Sequence, residues 1–168
     1  MNRDELMAAL NRAMREVSGQ GVLYSQTVAE RLGVGGADLE CLDFIFTRGA
    51  VTAGELARLT GLTTGAITGV IDRLERAGFA KRESDPDDRR KVLVKVLPEA
   101  LQRIMPLYEP MARASVGALS GYDDKDLALL LDFLGRVHQA AVGATAELKN
   151  EVASPEKDKP DRTGRAPS

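Results

Sequence analysis

Along residues 4–32 apolar side chains return every three or four places, at Leu6, Leu10, Ala13, Met14, Val17, Tyr24 and Val28. That period puts them on one stripe of an α-helix. Gly19 and Gly21 weaken the middle, but the phase carries from Val17 to Tyr24, so one long helix is expected, bent near the glycines. Gly33, Gly35 and Gly36 end it. A second helix is expected over 37–48, with Leu39, Leu42, Ile45 and Phe46 inside and Gly49 as its stop. Thr52, with Glu55 three places on, has the spacing of a capping box and opens a short helix over 53–60 that Gly61 breaks. Thr63 or Thr64 caps the next helix, 64–77, and Gly78 ends it.

The period then changes. Val92, Val94 and Val96 alternate with Lys91, Leu93 and Lys95, and Ser84-Asp85-Pro86-Asp87-Asp88 before them has turn chemistry. A β-hairpin with strands near 79–83 and 91–97 and a charged tip follows. Pro98 suits a first helical position. From there Leu101, Ile104, Met105, Tyr108, Met111, Ala112, Ser115 and Leu119 mark a helix over 98–119, which Pro106 and Pro110 should kink. Asp123 caps a last helix whose apolar face holds Leu127, Leu130, Leu131, Leu134, Val137, His138, Ala141 and Leu148. Residues 149–168 turn to Lys, Glu, Asp, Pro and Ser, a composition expected to be disordered. No internal repeat is present.

Composition supports this helical reading. Leu and Ala supply 43 of the 168 residues and Ile and Val only 17, a bias toward helix over sheet. The fold class expected is mostly α with a small β-hairpin. The single cysteine, Cys41, and single histidine, His138, rule out an internal disulfide and leave too few ligands for a Cys/His zinc site. No catalytic constellation is visible, so an enzyme is not expected, and neither is a cofactor. No run of 18 apolar residues suggests a transmembrane helix. The N-terminus does not read as a signal peptide, so a reducing, cytoplasmic setting is expected. The net charge of −2 does not advertise nucleic-acid binding; such a function must rest on local motifs.

One constellation supplies them. Ala57, Gly61 and Ile67 have the spacing of a helix-turn-helix: a small residue where the helices approach, a glycine in the turn and an aliphatic residue packing back. Leu56, Leu59, Leu62 and Val70 complete its small core. The outward face of the second helix then carries Thr63, Thr64, Gly65, Thr68, Gly69 and Asp72, with Arg73 near its end. Threonine hydroxyls and methyls suit phosphates, bases and thymine methyls, and the two glycines let backbone come close to DNA. A solvated helix of weak propensity would show the same face. After it, residues 81–95 hold six basic residues (Lys81, Arg82, Arg89, Arg90, Lys91, Lys95) and four acidic ones (Glu83, Asp85, Asp87, Asp88). This reads as a wing whose tip arginine enters a minor groove, with a nearby Asp orienting it through a bidentate pair. An ordinary solvated turn is the alternative.

Four segments together resemble the MarR family of winged-helix transcription regulators: Thr52-Ala53-Gly54-Glu55-Leu56-Ala57, Gly61-Leu62-Thr63-Thr64-Gly65-Ala66-Ile67-Thr68, Asp72-Arg73-Leu74-Glu75-Arg76-Ala77-Gly78-Phe79 and Asp85-Pro86-Asp87-Asp88-Arg89-Arg90. The resemblance covers about 37–97. It implies a winged helix-turn-helix lobe over 37–97 and a helical dimerisation region from 1–36 and 98–148. It implies Arg90 as the minor-groove arginine and Asp88 as its partner, flanked by Arg89. It also implies a homodimer on duplex DNA, reading a pseudo-palindromic operator with half-sites about one turn, roughly 34 Å, apart. The family often has Thr before the proline at which this helix starts; here Leu97 stands there.

The function expected is a sequence-specific transcription regulator, most simply a repressor released by a small apolar or phenolic effector. A winged-helix protein-interaction module and a ligand-independent regulator are the alternatives. Met14, Val17, Phe44, Met105 and Tyr108 could line an effector cavity with a phenol at its rim, or be plain core or dimer seam. Some relatives sense oxidants through a cysteine in the first helix; Cys41 lies in the second, where Glu40 and Asp43 oppose its ionisation and a buried core thiol is expected. His138 is expected to pack or to lie at a dimer interface.

Overall fold

The computed structural model describes the backbone of residues 1–152 and side chains through Lys149. Six helices and three short strands follow in order: α1 (Arg3–Leu32), α2 (Gly36–Arg48), β1 (Val51–Thr52), α3 (Ala53–Thr60), α4 (Thr64–Arg76), β2 (Ala80–Ser84), β3 (Val92–Val96), α5 (Pro98–Leu119) and α6 (Asp124–Val152). The last helix continues past the expected end at 148. The rest of the expected disordered tail lies outside the described residues.

Local chemistry sets most of the boundaries. Asn2 and Glu5 form a capping box at α1, and Thr52 and Glu55 form one at α3. The Thr52 N–H donates to Glu55 Oε2 at 2.7 Å and the Glu55 N–H to Thr52 Oγ1 at 3.2 Å. These bonds, the backbone one first, hold the Glu55 carboxyl below its ordinary range. Thr63, not Thr64, caps α4, and Asp123 accepts from the N–H groups of Lys125 and Asp126 at α6. Gly33 and Gly61 close α1 and α3 with φ of 69° and 75°, left-handed values that a side chain would resist. α1 runs unbroken through Gly19 and Gly21, and α5 through Pro106 and Pro110. Both prolines lack an N–H, and between them the Tyr24 hydroxyl donates to the Leu107 carbonyl at 2.6 Å.

The strands form one antiparallel sheet in the order β1-β3-β2. β1, two residues long, was not expected from the sequence. It extends the hairpin, pairing Val51 with Val94 and Thr52 with Leu93. In the hairpin Lys81 faces Lys95 directly. Like charges so placed repel; Glu83 between them pairs with Lys95 and, at 3.1 Å, with Lys81.

Two compact units result, residues 1–112 and the remainder from 113. The core lies in the first. The last turns of α1 (Val28, Ala29, Leu32), the inner face of α2, Ile67, Val70, Ile71 and Leu74 of α4, Phe79 and Val94 meet there. Arg103 of α5 lays its guanidinium 4.2 Å above the Phe79 ring and donates to the Ala77 carbonyl at 3.1 Å, tying α5 to the end of α4. Outside the core, apolar residues stay uncovered. Leu6, Leu10 and Val17 on α1, Val116 and Leu119 on α5, and Leu131, Leu134 and Leu148 on α6 are all exposed. By length and composition alone α6 is apolar enough for a membrane span, a test that a helix of a soluble protein also passes. α6 carries Asp132 and Arg136, joined at 2.9 Å, whose burial in hydrocarbon is costly.

Leu74 is fully buried and Val92 is half exposed. Leu74→Ala should therefore lower unfolding free energy by about 2–5 kcal/mol, and Val92→Ala by no more than about 0.5 kcal/mol. Urea unfolding followed by circular dichroism measures both.

Candidate nucleic-acid interface

α3 and α4 meet over a tight turn. The Gly61 N–H closes α3 on the Ala57 carbonyl at 2.8 Å, and Ile67 is fully buried. The three positions singled out in the sequence are brought together as a helix-turn-helix. Thr63, Thr64, Gly65 and Thr68 face solvent, and Gly69 is half-buried. The Thr68 hydroxyl donates back to the Thr64 carbonyl at 3.0 Å, so toward a ligand it offers lone pairs and a methyl rather than its proton. No Cβ built on Gly65 meets an atom within 4 Å, so the close approach it permits is to an external surface.

The wing tip is tied by its own aspartates. Asp85 Oδ1 accepts from the Asp87 N–H at 2.8 Å, and the Lys91 N–H donates to the Asp88 carbonyl at 2.8 Å. Asp88 Oδ1 accepts from the Arg90 N–H at 3.1 Å and lies 3.4 Å from Arg90 Nε. The expected bidentate pair does not form: with one residue between the partners, the backbone N–H of Arg90 takes the better place at that oxygen. Arg90 is 93% exposed, and Arg89 beside it is exposed too.

Arg73 is not free on the recognition face. Its Nη2 reaches Asp38 Oδ1 at 2.6 Å, and its Nε lies 3.2 Å and 3.0 Å from Oδ1 and Oδ2. The pairing raises the Arg73 pKa above its usual value. Asp72, read from sequence as part of the outward face, is paired at 2.7 Å with Arg82 of β2, which also binds Glu75. The Arg82 N–H donates to Glu75 Oε1 at 2.7 Å. The wing is thereby fastened to α4. Asp38 and Arg82 were missed as site residues. Gly35-x-x-Asp38 at a helix start was a local signal for the first, and the Gly35 N–H does bind Asp38 Oδ2 at 3.2 Å. Nothing local points to Arg73, 35 residues away.

The expected effector residues do not all converge. Met105 and Tyr108 share an apolar cleft of about 160 Å³ with Leu42, Asp43, Phe46, Leu101 and Ile104. Phe44 packs against the core instead. Val17 is 73% exposed and Met14 is half-buried along α1, neither in the cleft, because α1 enters the core only from Tyr24 onward. The Tyr108 hydroxyl lies 3.5 Å from Asp43 Oδ1. Desolvation first, then the Asp43 charge, pushes its pKa up to about 12. His138 is exposed on α6. Among the described residues no cluster of His, Cys, Asp and Glu could hold a metal.

A helix-turn-helix with an exposed small-residue recognition face and a charged wing defines a winged-helix DNA-binding regulator. The profile of the MarR family matches residues 37–92. Over 135 residues, 80% of this chain and 88% of the relative, the sequence is 36% identical to the uncharacterized HTH-type transcriptional regulator YcgE of Bacillus subtilis. It is 29% identical over 143 residues to YkoM of the same organism, covering 80% of this chain and 90% of that one. A MarR family protein from Bacillus stearothermophilus has the same fold, with TM-score 0.64 at 20% identity over 84% of this chain and 99% of that one. So does a mutant of S. aureus MepR bound to an oligodeoxyribonucleotide, with TM-score 0.54 at 13% identity over 79% and 97%. The chain belongs to the MarR family: it is a transcriptional regulator and not an enzyme.

Cys41 is wholly buried, and desolvation first, then Glu40 and Asp38, pushes its pKa up to about 11 against the opposing pull of Arg73. The thiolate, the reactive form, is therefore scarce at neutral pH. N-ethylmaleimide should leave the folded protein unmodified and label it fully in guanidinium chloride, as read by intact mass.

Proposed function

We propose that the chain is a homodimeric repressor that occludes a promoter by binding a pseudo-palindromic operator, and that a small molecule releases it. The observation that carries this reading is the pairing of two DNA-shaped surfaces in one lobe: the open Thr63–Gly69 face of α4 and the Arg90 wing tip beside Asp88. α4 would enter a major groove with Thr63, Thr64 and Thr68 at base edges or phosphates. Arg90 would read the adjoining minor groove, supported by Arg89.

The uncovered apolar faces of α1, α5 and α6 support self-association, since a second copy removes such faces from water. An apolar or phenolic effector would lodge in the cleft of Met105 and Tyr108, near the junction of α2 and α5. It would favour a dimer whose lobes no longer match the half-site spacing. A regulator of transcription acts where the DNA is, which favours a cytoplasmic site and a role away from membranes.

Fluorescence anisotropy with labelled duplex from upstream of the protein's own gene, against random duplex, tests the reading. Binding should prefer the upstream DNA and weaken with salt, as counterions displaced by exposed cations such as Arg89 and Arg90 return. Arg90→Ala should weaken it roughly tenfold to a hundredfold; equal affinity of mutant and wild type removes the wing from the mechanism. Light scattering after gel filtration should give a dimer, and Leu134→Glu on the exposed face of α6 should shift it toward monomer. A wild-type monomer at micromolar concentration contradicts the dimer.

A further inference from the structure

Asp38 is the only buried polar side chain among the described residues. It is 3% exposed, and both oxygens are occupied: Oδ1 by Arg73 Nη2 and Nε, Oδ2 by Nε and the Gly35 N–H. Arg73 is thus gripped along one edge of its guanidinium. Its other edge is not enclosed. Half of the Arg73 side chain remains exposed, against 5% for Asp38. Nη1 lies over the bare backbone of Gly69, 3.4 Å from where a Cβ would stand. Gly65, Gly69 and Arg73 are spaced four apart and lie along one side of α4.

We propose that Asp38 is a positioning residue for DNA recognition: it holds Arg73 by one edge so that Nη1, on the opposite edge, is aimed at the duplex across Gly69. This rests on the reading that this side of α4 meets DNA. A free arginine must give up rotamer freedom when it binds; here folding has already fixed it. A paired arginine is also a poorer magnet for phosphates in general, because Asp38 offsets its charge. What remains is a donor of fixed direction, which rewards an acceptor in one place. Asp38 therefore raises selectivity more than overall affinity.

The test compares affinity for duplex from upstream of the gene with affinity for random duplex. Arg73→Lys keeps the charge and loses the planar fork. It should cut the preference about tenfold, the scale of one well-aimed contact, with random-duplex affinity unchanged or higher. Asp38→Asn should do the same, and should cost nothing further in an Arg73→Ala background. Thermal unfolding confirms that each variant is folded; if Asp38→Asn is not, Arg73→Lys decides alone. Wild-type preference in Arg73→Lys overturns the proposal, as does an Asp38→Asn loss that adds in full to that of Arg73→Ala. Absence of any preference in the wild type overturns the operator reading itself, and this inference with it.

Discussion

The burial of one side of α4 is the constraint on which the DNA-binding lobe rests. The helix has poor intrinsic credentials: Gly65 and Gly69 each cost about 1 kcal/mol relative to alanine, and Thr64, Ile67, Thr68, Val70 and Ile71 are β-branched. It is helical because Ile67, Val70, Ile71 and Leu74 are all at most 2% exposed. Each contributes about 1.5–3 kcal/mol on leaving water, which outweighs the propensity deficit. The outer face is thereby relieved of any structural duty. It can carry glycines and threonines, the small residues on which the proposed docking of a duplex rests.

Packing fixes which side of α4 faces inward, but not how it lies against its neighbours. Two arginine–carboxylate anchors do that. Arg73 joins α4 to α2 through Asp38, and Arg82 joins it to β2 through Asp72 and Glu75. The Arg82 anchor is partly exposed, and such pairs add little to stability. Their effect is geometric: recognition helix, wing strand and α2 are held as one body. At the hairpin Glu83 plays a related part, and its bonds to Lys95 first and then Lys81 keep its carboxyl below the ordinary range.

The sequence made the helices legible because their ends are written locally. Thr52 with Glu55, Thr63, Asp123 and the glycines at 33, 49 and 61 act within a turn of where they stand. β1 was not legible, since two residues show no period and Val51-Thr52 becomes a strand only by pairing with β3. Asp38–Arg73 joins residues far apart in the chain, which no local pattern announces. The misplaced cavity residues show a related gap. Helical period told which side of α1 is apolar, but not that Met14 and Val17 lie along the part of the helix that the core does not reach. The Asp88–Arg90 pair was implied by the family resemblance, and its geometry differs from a bidentate one because a backbone N–H competes for the same oxygen.

The lobe is largely self-neutralised: Arg73, Arg82, Lys81 and Lys95 are all engaged by its own carboxylates. A surface of this kind projects little long-range field, so diffusion toward DNA receives weak steering and the encounter rate should be ordinary rather than accelerated. On the proposed operator reading, discrimination between sites then resides in how long the complex lasts. The kinetic signature of such a molecule is brief residence on most DNA and a long dwell where groove shape and acceptor positions both fit.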